Sequence, residues 1–408
     1  MLKTNSGGSK IKIWNSSTKG GSSISLPATY ATPTDLPKSL YVEGFSSSSS
    51  VRDIELALEF SVGGKTFDDR VKITVLKPEI TELGFKNDHM ITKWPSGTKI
   101  DDPDGSTPVW KKTNNPNDPV CYTKNTSPTM FAVFNVTPNI SPDITGVQVR
   151  AKVGTVVIGS ASGGRISGTV IEDGSNTDGD VDDIGGGSAV PNSNAVKTLT
   201  PTFTWEVTFD GTSWCSANNI GPHTMYWTNA TPLENTLYDL ALDKACGYVN
   251  GDSDIPGKIN SGMDSDITYD PAADHEHDLD IFSVGEGECC CHAIVFRQLV
   301  RSVGVDGTIT YIWGGCSSSY VDYYKYGTWW VSFRVIKSAH DNAEANPHFT
   351  YHVETLVSGT YYDPSYGATG LISLDETAPT HNPYPAASRQ TGSSLPGNVH
   401  YVDWTCPH

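Results

Sequence analysis

The stretch GEGECCCHAIVFRQLVRSVGV, residues 285–305, decides how the second half of the chain is interpreted. Gly285 and Gly287 precede a run without Gly or Pro that ends at Gly304, where a left-handed cap is expected. Apolar side chains recur in this run at helical spacing, on a stripe formed by Cys289, Ala293, Phe296, Val300 and Val303. The segment therefore predicts a helix that begins with a buried Cys289.

The position of Cys289 suits a nucleophile. A thiol in the first turn of a helix lies at the positive end of the helix dipole, which favours the thiolate, and nearby backbone N–H groups can hold an oxyanion. One alternative is a structural thiol, because buried cysteine is a common small apolar residue. Three adjacent cysteines make a poor metal site, since successive residues on a helix point apart. Cys290 aligns with Arg297 and Arg301 and is expected on a more solvated face.

A hairpin is predicted further along the chain, within HFTYHVETLVSGTYYDPSYG, residues 348–367. Ser358-Gly359 is a two-residue turn between two strands of alternating character. A two-residue turn pairs Val357 with Thr360, and this pairing sets the register of every residue behind it.

That register brings a histidine and an aspartate together. Asp363 lies opposite Glu354, and His352 is the diagonal neighbour of Asp363 on the same face, about 7–8 Å away at the backbone. His348 would lie about 20 Å along the strand from position 354, so His352 is the geometric choice and His348 the alternative. A Cys–His pair forms thiolate at neutral pH, and an Asp fixes the imidazole tautomer.

These features resemble the transglutaminase-like superfamily of papain-like cysteine enzymes. The helix of that superfamily reads G-x-C, then Ala four residues after the Cys, then Arg-x-x-Gly, and the matching positions here are Gly287, Cys289, Ala293, Arg301 and Gly304. The superfamily also places its His and Asp on neighbouring strands, usually as H-x-W-x-E with His 15 residues before the Asp. His348 has that count, the expected Trp is absent, and the Asp is followed by Pro, as is common in the family.

The resemblance implies a triad in which Cys289 is the nucleophile, His352 the base and Asp363 the group that orients the base. It covers residues 233–408 and implies an α+β, papain-like domain there. A Trp or Tyr often supports the oxyanion in this family, and Tyr226-Trp227 or Trp313 are the aromatic candidates.

The preceding residues are expected to be β-rich, because short β-branched and aromatic runs alternate with Gly- and Ser-rich turns. Residues 1–78 predict an immunoglobulin-like β-sandwich, with strands at KIKIW (10–14) and IELALEF (54–60) and a hairpin at the GGK of 63–65. Residues 79–232 predict a second β-rich domain that carries a long acidic Gly/Asp surface loop within 163–193.

That loop contains Asp178, Asp180 and Asp182, whose alternating carboxylates at this spacing suit Ca²⁺. A solvated acidic loop is the alternative. A weaker metal candidate is the run His275-Glu276-His277, which would suit a metal-dependent hydrolase if the two histidines shared a strand face.

Charge and composition limit the partners. The formal net charge is −18, and an acidic surface repels nucleic acid and anionic lipid. No run of 18 apolar residues exists, so no membrane span is expected. The polar N-terminus lacks the apolar core of a signal peptide, while the low Lys content and many Ser, Thr and Asn residues favour an exported bacterial protein at the cell surface or beyond it.

The sequence therefore predicts thiol-dependent acyl transfer on protein or peptide amides. Hydrolysis by a cysteine peptidase or amidase is the first expectation. Transglutaminase cross-linking is the second, and it stays open because the triad is the same in both. No cofactor is required, and calcium at the acidic loop is a candidate with a solvated loop as its alternative. The alternative is a non-catalytic surface protein, with binding modules and a degenerate relative of the fold. The eight cysteines show no spacing that assigns disulfides, and nothing in the sequence sets the oligomeric state.

Overall fold

The computed structural model describes most of residues 76–309 and a short C-terminal segment with their side chains. The ranges are 76–100, 108–113, 117–174 (without the side chain of 142), 178–209, 211–212, 214–270, 278–309, 353–365, 367 and 369. Elsewhere it gives the backbone of strands. Strands hold 46% of the residues, so the expectation of a β-rich chain is confirmed.

The N-terminal strands form two three-stranded sheets, in the orders β1-β5-β6 and β3-β2-β4. The predicted GGK hairpin is present, because Val62 pairs with Lys65. The immunoglobulin-like arrangement of residues 1–78 stays a prediction. The strands are β1 (Leu2–Thr4), β2 (Ile11–Trp14), β3 (Ser23–Ile24), β4 (Tyr41–Gly44), β5 (Asp53–Val62) and β6 (Lys65–Thr74).

The middle of the chain is a curled sheet built around one long strand. The first half of β12 pairs with β7 and its last residues pair with β16, while β13 follows it on the other side. The strands are β7 (Lys77–Lys86), β8 (Thr92–Lys93), β9 (Thr98–Lys99), β10 (Trp110–Lys111), β11 (Val120–Thr123), β12 (Thr129–Val153), β13 (Val156–Glu172), β14 (Val181–Gly186), β15 (Lys197–Leu199), β16 (Phe203–Thr208), β17 (Trp214–Ile220) and β18 (Met225–Thr228).

The sheet closes on itself because its far strands meet again. β14 pairs with both β12 and β13, and the backbone N–H of Ile80 in β7 donates to Asn218 Oδ1 in β17 at 2.8 Å. The enclosed core is aromatic, and its largest fully buried side chains include Trp205, Phe85, Phe134 and Phe203. Because the sheet curls, each of these rings packs against another buried ring.

The expectation of a long loop within residues 163–193 is wrong. β13 continues to Glu172 and β14 occupies Val181–Gly186, so only a short acidic turn joins them. The glycines that suggested a loop are bulge positions, since Gly163 and Gly168 have φ of 83° and 64° beside β-branched strand residues.

A three-stranded sheet, β11-β18-β15, separates the middle core from the helical core. Successive side chains along these strands point to opposite faces of the sheet, one towards the middle core and the next towards the helical core. Tyr122 and Trp227 pack in the middle core, whereas Cys121 and Tyr226 pack in the helical one. The two halves of the chain therefore share this sheet.

The second half begins with helices. α1 (Asp239–Val249) and α2 (Ile255–Asp266) pack against each other and against α4 (Cys289–Ser302), while α3 (Ile281–Val284) leads into α4. Asp254 caps α2 by accepting the backbone N–H of Gly257 at 3.1 Å. The helices expected at 237–246 and 289–303 are both present, and Gly304, with φ of 77°, ends the second as expected.

A five-stranded sheet in the order β27-β26-β25-β21-β28 covers α4. Its strands and the remaining ones are β19 (Thr268–Tyr269), β20 (Glu286–Gly287), β21 (Thr308–Trp313), β22 (Gly315–Cys316), β23 (Asp322–Tyr326), β24 (Trp329–Ser332), β25 (Tyr351–Val357), β26 (Thr360–Asp363), β27 (Ala368–Thr369), β28 (Gln390–Thr391), β29 (Ser394–Leu395) and β30 (Val399–His400). Among the described residues, the helices are too short or too polar to cross a membrane.

A buried histidine makes the middle core sensitive to acid. His223 is 0% exposed, its ring stacks on Phe85 with centroids 5.2 Å apart, and neither ring nitrogen has a hydrogen-bond partner among the described residues. Burial lowers the pKa of His223 to about 4, and no charged side chain of the described part offsets that effect. The folded protein therefore holds the neutral ring.

We expect the free energy of unfolding to fall as pH drops from 6.5 to 4, because the unfolded chain takes up a proton that the folded core refuses. The lowered pKa corresponds to about 3 kcal/mol, lost once the pH is below about 4. Urea unfolding followed by Trp fluorescence at several pH values measures it. His223→Leu should flatten this part of the profile, and an unchanged pH dependence in that variant would contradict the assignment.

Candidate functional site

The chain enters α4 through a segment that is held on both sides. β20 pairs in parallel with β19, and the backbone N–H groups of Thr268 and Asp270 donate to Gly285 O and Gly287 O at 2.8 and 3.0 Å. A Cβ at Gly287 would lie 2.6 Å from Ile281 Cδ1, so a larger residue there would force the Ile281 side chain to shift. The direction in which α4 begins is therefore fixed.

The first turn of α4 starts at Cys289, with Glu288 as the N-cap in an extended conformation. The Glu288 side chain makes no capping hydrogen bond. Its carbonyl oxygen accepts two, from the backbone N–H of His292 at 3.1 Å and from the ring Nδ1 of His292 at 3.0 Å. His292 is 0% exposed and was not singled out by its sequence, although a Cys-x-x-His spacing on a predicted helix is a usable signal.

The structure distinguishes the three adjacent cysteines. Cys289, Cys290 and Cys291 are all buried, so the expectation of a more solvated face for Cys290 is wrong. Cys290 forms a disulfide whose partner lies outside the described residues. Burial, with the charge of Glu288 adding to it, raises the pKa of the Cys291 thiol to about 12. Cys289 is a free thiol at the first position of the helix.

A metal site at these cysteines is disfavoured by the same disulfide. Donor atoms of Glu288, Cys290 and Cys291 lie within 4.8 Å of one another, which is close enough for one ion. A disulfide sulfur is not a thiolate ligand, however, so only two usable donors remain.

The hairpin has the predicted register. Ser358 and Gly359 form the turn with φ of 50° and 84°, and Val357 pairs with Thr360. The pairing continues to Thr355 and Tyr362. Extending the same register by one residue brings Glu354 opposite Asp363.

The contacts of this hairpin show which face meets α4. Thr355 Oγ1 donates to Ala293 O at 3.1 Å, and the ring of Tyr362 lies 5.6 Å from that of Phe296. Strand alternation then places positions 352 and 363 on the same face as each other, and on the face opposite Thr355. The register prediction is confirmed, while the side chain of His352 lies outside the described residues, so its contact with Cys289 stays a prediction.

Position 352 nevertheless lies at the end of the sheet beside the start of α4. Thr355 is level with Ala293, and the Cβ of a residue at 307 would touch both Val300 and Val357, so β25 and α4 run in the same direction. Moving back along β25 therefore leads towards Cys289. β25 begins at residue 351 and β26 ends at Asp363, so Glu354 and Asp363 form the last row of the hairpin, and position 352 is the diagonal neighbour of Asp363.

Two carboxylates are buried in that row. Glu354 and Asp363 are 0% and 1% exposed, and both engage partners. Asp363 Oδ1 accepts the backbone N–H of Ser365 at 3.1 Å. This bond holds the carboxylate in one orientation.

The aromatic candidates for oxyanion support separate into two layers. Trp227 stacks on Tyr122, with centroids 5.8 Å apart, in the middle core, so its ring lies away from the helical layer. Tyr226 faces the helical layer, where burial, with the charges of Asp243 and Asp239 adding to it, raises its pKa. The side chain of Trp313 and the run 275–277 lie outside the described residues.

The acidic turn brings its carboxylates together. Oxygens of Asp178, Asp180 and Asp182 lie within 4.8 Å of one another. Burial, followed by a hydrogen bond to Asp178 and the charges of neighbouring aspartates, raises the pKa of Asp180 to about 7. Lys86 Nζ contacts Asp182 Oδ1 at 2.8 Å and offsets part of the repulsion. The donors and their spacing fit a calcium ion, with Lys86 competing for Asp182.

Neither the family models nor the curated proteins compared with the chain give a match. The superfamily suggested by the motifs therefore stays a resemblance, and the geometry described above is what supports a function.

The thiols are expected to differ sharply in the native state. Cys215 is exposed and should react with iodoacetamide, whereas Cys246 is fully buried and burial raises its pKa to about 12, so it should react only after unfolding. Cys290 should be found in a disulfide-linked peptide without reductant. Peptide mass mapping of native, unfolded and reduced samples measures all three. Native labelling of Cys290 without reductant would contradict the disulfide.

Proposed function

We propose that the second half of the chain is a thiol enzyme that transfers acyl groups from protein or peptide amides. One observation carries the proposal: Cys289 is a free thiol at the first position of the buried helix α4, near the open end of the hairpin that carries positions 352 and 363. Nucleophile, base and orienting carboxylate are thus assigned to Cys289, His352 and Asp363.

The chemistry follows from these roles. The Cys289 thiolate attacks the carbonyl carbon of an amide, and backbone N–H groups at the start of α4 stabilise the oxyanion. The imidazolium of His352 returns a proton to the nitrogen as the C–N bond breaks, which leaves a thioester on Cys289. Water then gives hydrolysis, which is the favoured outcome, and a lysine amine gives an isopeptide cross-link. Asp363 orients the imidazole and stabilises its protonated form.

The Cys290 disulfide supports an extracellular location. Disulfides persist in oxidising compartments and are rare in the cytosol. Together with the acidic, Ser- and Thr-rich composition, it favours a protein that acts at the surface of a bacterial cell or outside it.

A second candidate function is binding without catalysis. Cys289 is only 3% exposed, and positions 352 and 363 lie on the face of the sheet that points away from the body of α4. A chain that kept the fold only as a scaffold for the β-rich modules would show this burial as well.

Alkylation of Cys289 separates the two functions. We expect iodoacetamide to label Cys289 rapidly below pH 7, because a thiol–imidazole pair keeps thiolate present there. His352→Ala should slow this labelling by roughly 10-fold or more, since a positioned base contributes at least that much. Peptide mass mapping from pH 4 to 9 measures it, with the exposed Cys215 as internal reference.

The matched control is His348→Ala. If Cys289 labelling slows in that variant and is unchanged in His352→Ala, His348 is the base. Slow labelling of Cys289 in the wild type, with the pH dependence of Cys215, would favour binding without catalysis.

Calcium at the acidic turn is a further part of the proposal. Because the pKa of Asp180 is raised, its ionised form destabilises the fold as pH rises through 7, and a bound cation would reverse this effect. Calcium at a hundredfold excess over its Kd should stabilise the wild type by about 2.7 kcal/mol.

Asp180→Asn should remove this response and, with chelator at pH 8, should be more stable than the wild type. Thermal melts with calcium or with chelator measure both effects. The exposed Asp143→Asn is the control and should behave as the wild type in each condition. If the wild type melts at the same temperature in calcium and in chelator, the acidic turn is solvated and binds no calcium.

A further inference from the structure

The imidazole of His292 is buried in the first turn of α4 and has no part in the proposed triad. Its Nδ1 lies 3.0 Å from Glu288 O, and its own backbone N–H donates to the same oxygen at 3.1 Å. A carbonyl oxygen can only accept, so Nδ1 carries the hydrogen. Both lone-pair directions of Glu288 O are therefore used by one residue.

This double hydrogen bond fixes the orientation of a particular peptide group. The Glu288–Cys289 peptide is planar and trans, so its C=O and N–H point in opposite directions. When the carbonyl is held inside the turn, the N–H of Cys289 must point out of the start of the helix. The first N–H groups of a helix have no acceptor within it, and the Glu288 side chain does not cap them.

The N–H of Cys289 is the donor closest to the reacting bond. An acyl group attached to Cys289 Sγ carries its oxygen within reach of the backbone N–H of the same residue, and an oxyanion there needs a donor already aimed at it. Neighbouring residues hold His292 and Glu288 in place. The ring of Tyr269 lies 6.4 Å from the imidazole, and β19 pairs with the segment that precedes Glu288.

We infer that His292 is a positioning residue for acyl transfer: by holding the carbonyl of Glu288, it aims the N–H of Cys289 at the oxyanion. This inference rests on the proposed function. In this role His292 acts through the peptide group rather than on the substrate or the transferred proton.

Two reagents distinguish this role from activation of the thiol. p-Nitrophenyl acetate acetylates Cys289: the S–C bond forms, an oxyanion develops on the acetyl oxygen, and p-nitrophenolate leaves. Iodoacetamide alkylates the same sulfur by displacing iodide from a saturated carbon, with no oxyanion. The ratio of the two rate constants at Cys289, measured by peptide mass mapping of the full chain, reports oxyanion support alone.

The variants change one nitrogen at a time. In His292→Asn, the side-chain Nδ2 takes the place of Nδ1 and can donate to Glu288 O. In His292→Gln, the amide nitrogen takes the place of Nε2 instead, and His292→Leu has no donor. We expect the ratio of acetylation to alkylation to fall roughly 10- to 100-fold in the Leu and Gln variants and to recover in the Asn variant.

The outcomes separate this inference from the proposed function. Slow alkylation and no acetylation of Cys289 in the wild type overturn both. If Cys289 is reactive in the wild type and the ratio of acetylation to alkylation is unchanged in the Gln and Leu variants, the role of His292 is overturned. The proposed enzyme activity is then unaffected. Acetylation and alkylation that fall together would show that His292 acts on the thiol, which also overturns it. If the Leu variant does not fold, the comparison of Asn with Gln decides.

Discussion

The burial of α4 is the constraint on which the second half of the molecule depends. α1, α2 and the sheet strand β25 all pack on it, and its buried residues include the three adjacent cysteines and His292. A helix covered on several sides cannot rely on water at its ends, so both ends need partners within the protein. The start is held by β19 and by the two hydrogen bonds to Glu288 O.

The end of α4 is held by the residues that carry the family resemblance. Arg301 bonds the carboxylate of Glu234 at 2.7 Å and the carbonyl oxygen of Leu233 at 2.6 Å. A Cβ at Gly304 would lie 2.4 Å from Ala230 O, and its φ is positive. The Arg-x-x-Gly pattern therefore has a structural role here: it ties α4 to the chain that leaves the middle sheet.

The sequence predicted those features that short-range geometry determines. A two-residue turn at Ser358-Gly359 leaves only one register for the hairpin, so the pairing of Val357 with Thr360 was predictable. The helix from Cys289 followed equally from its spacing. The environment of Cys290 did not, because a stripe identifies one buried face, whereas α4 is covered on several and the disulfide is a long-range contact. Strands at 163–172 were missed because glycine bulges resemble turns.

The hairpin shows why the candidate site was predictable only in part. Apolar Val353 and Val357 alternate with Glu354, a pattern that predicts one buried and one solvated face. The buried face meets α4. The polar face is buried as well, and no local pattern reveals what covers it, because such contacts depend on residues distant in sequence.

The burial of that polar face favours a functional arrangement over a scaffold. Glu354 and Asp363 lie opposite each other with almost no exposure, and like charges so placed cost free energy unless a cation or a donated proton lies between them. A binding protein could replace both by apolar residues and gain stability. In the proposed triad, the imidazole of His352, at the position diagonal to Asp363, would donate to the carboxylate of Asp363. The same electrostatics that make this pair costly in a scaffold would stabilise an imidazolium during acyl transfer, which links the most unfavourable feature of the fold to the proposed chemistry.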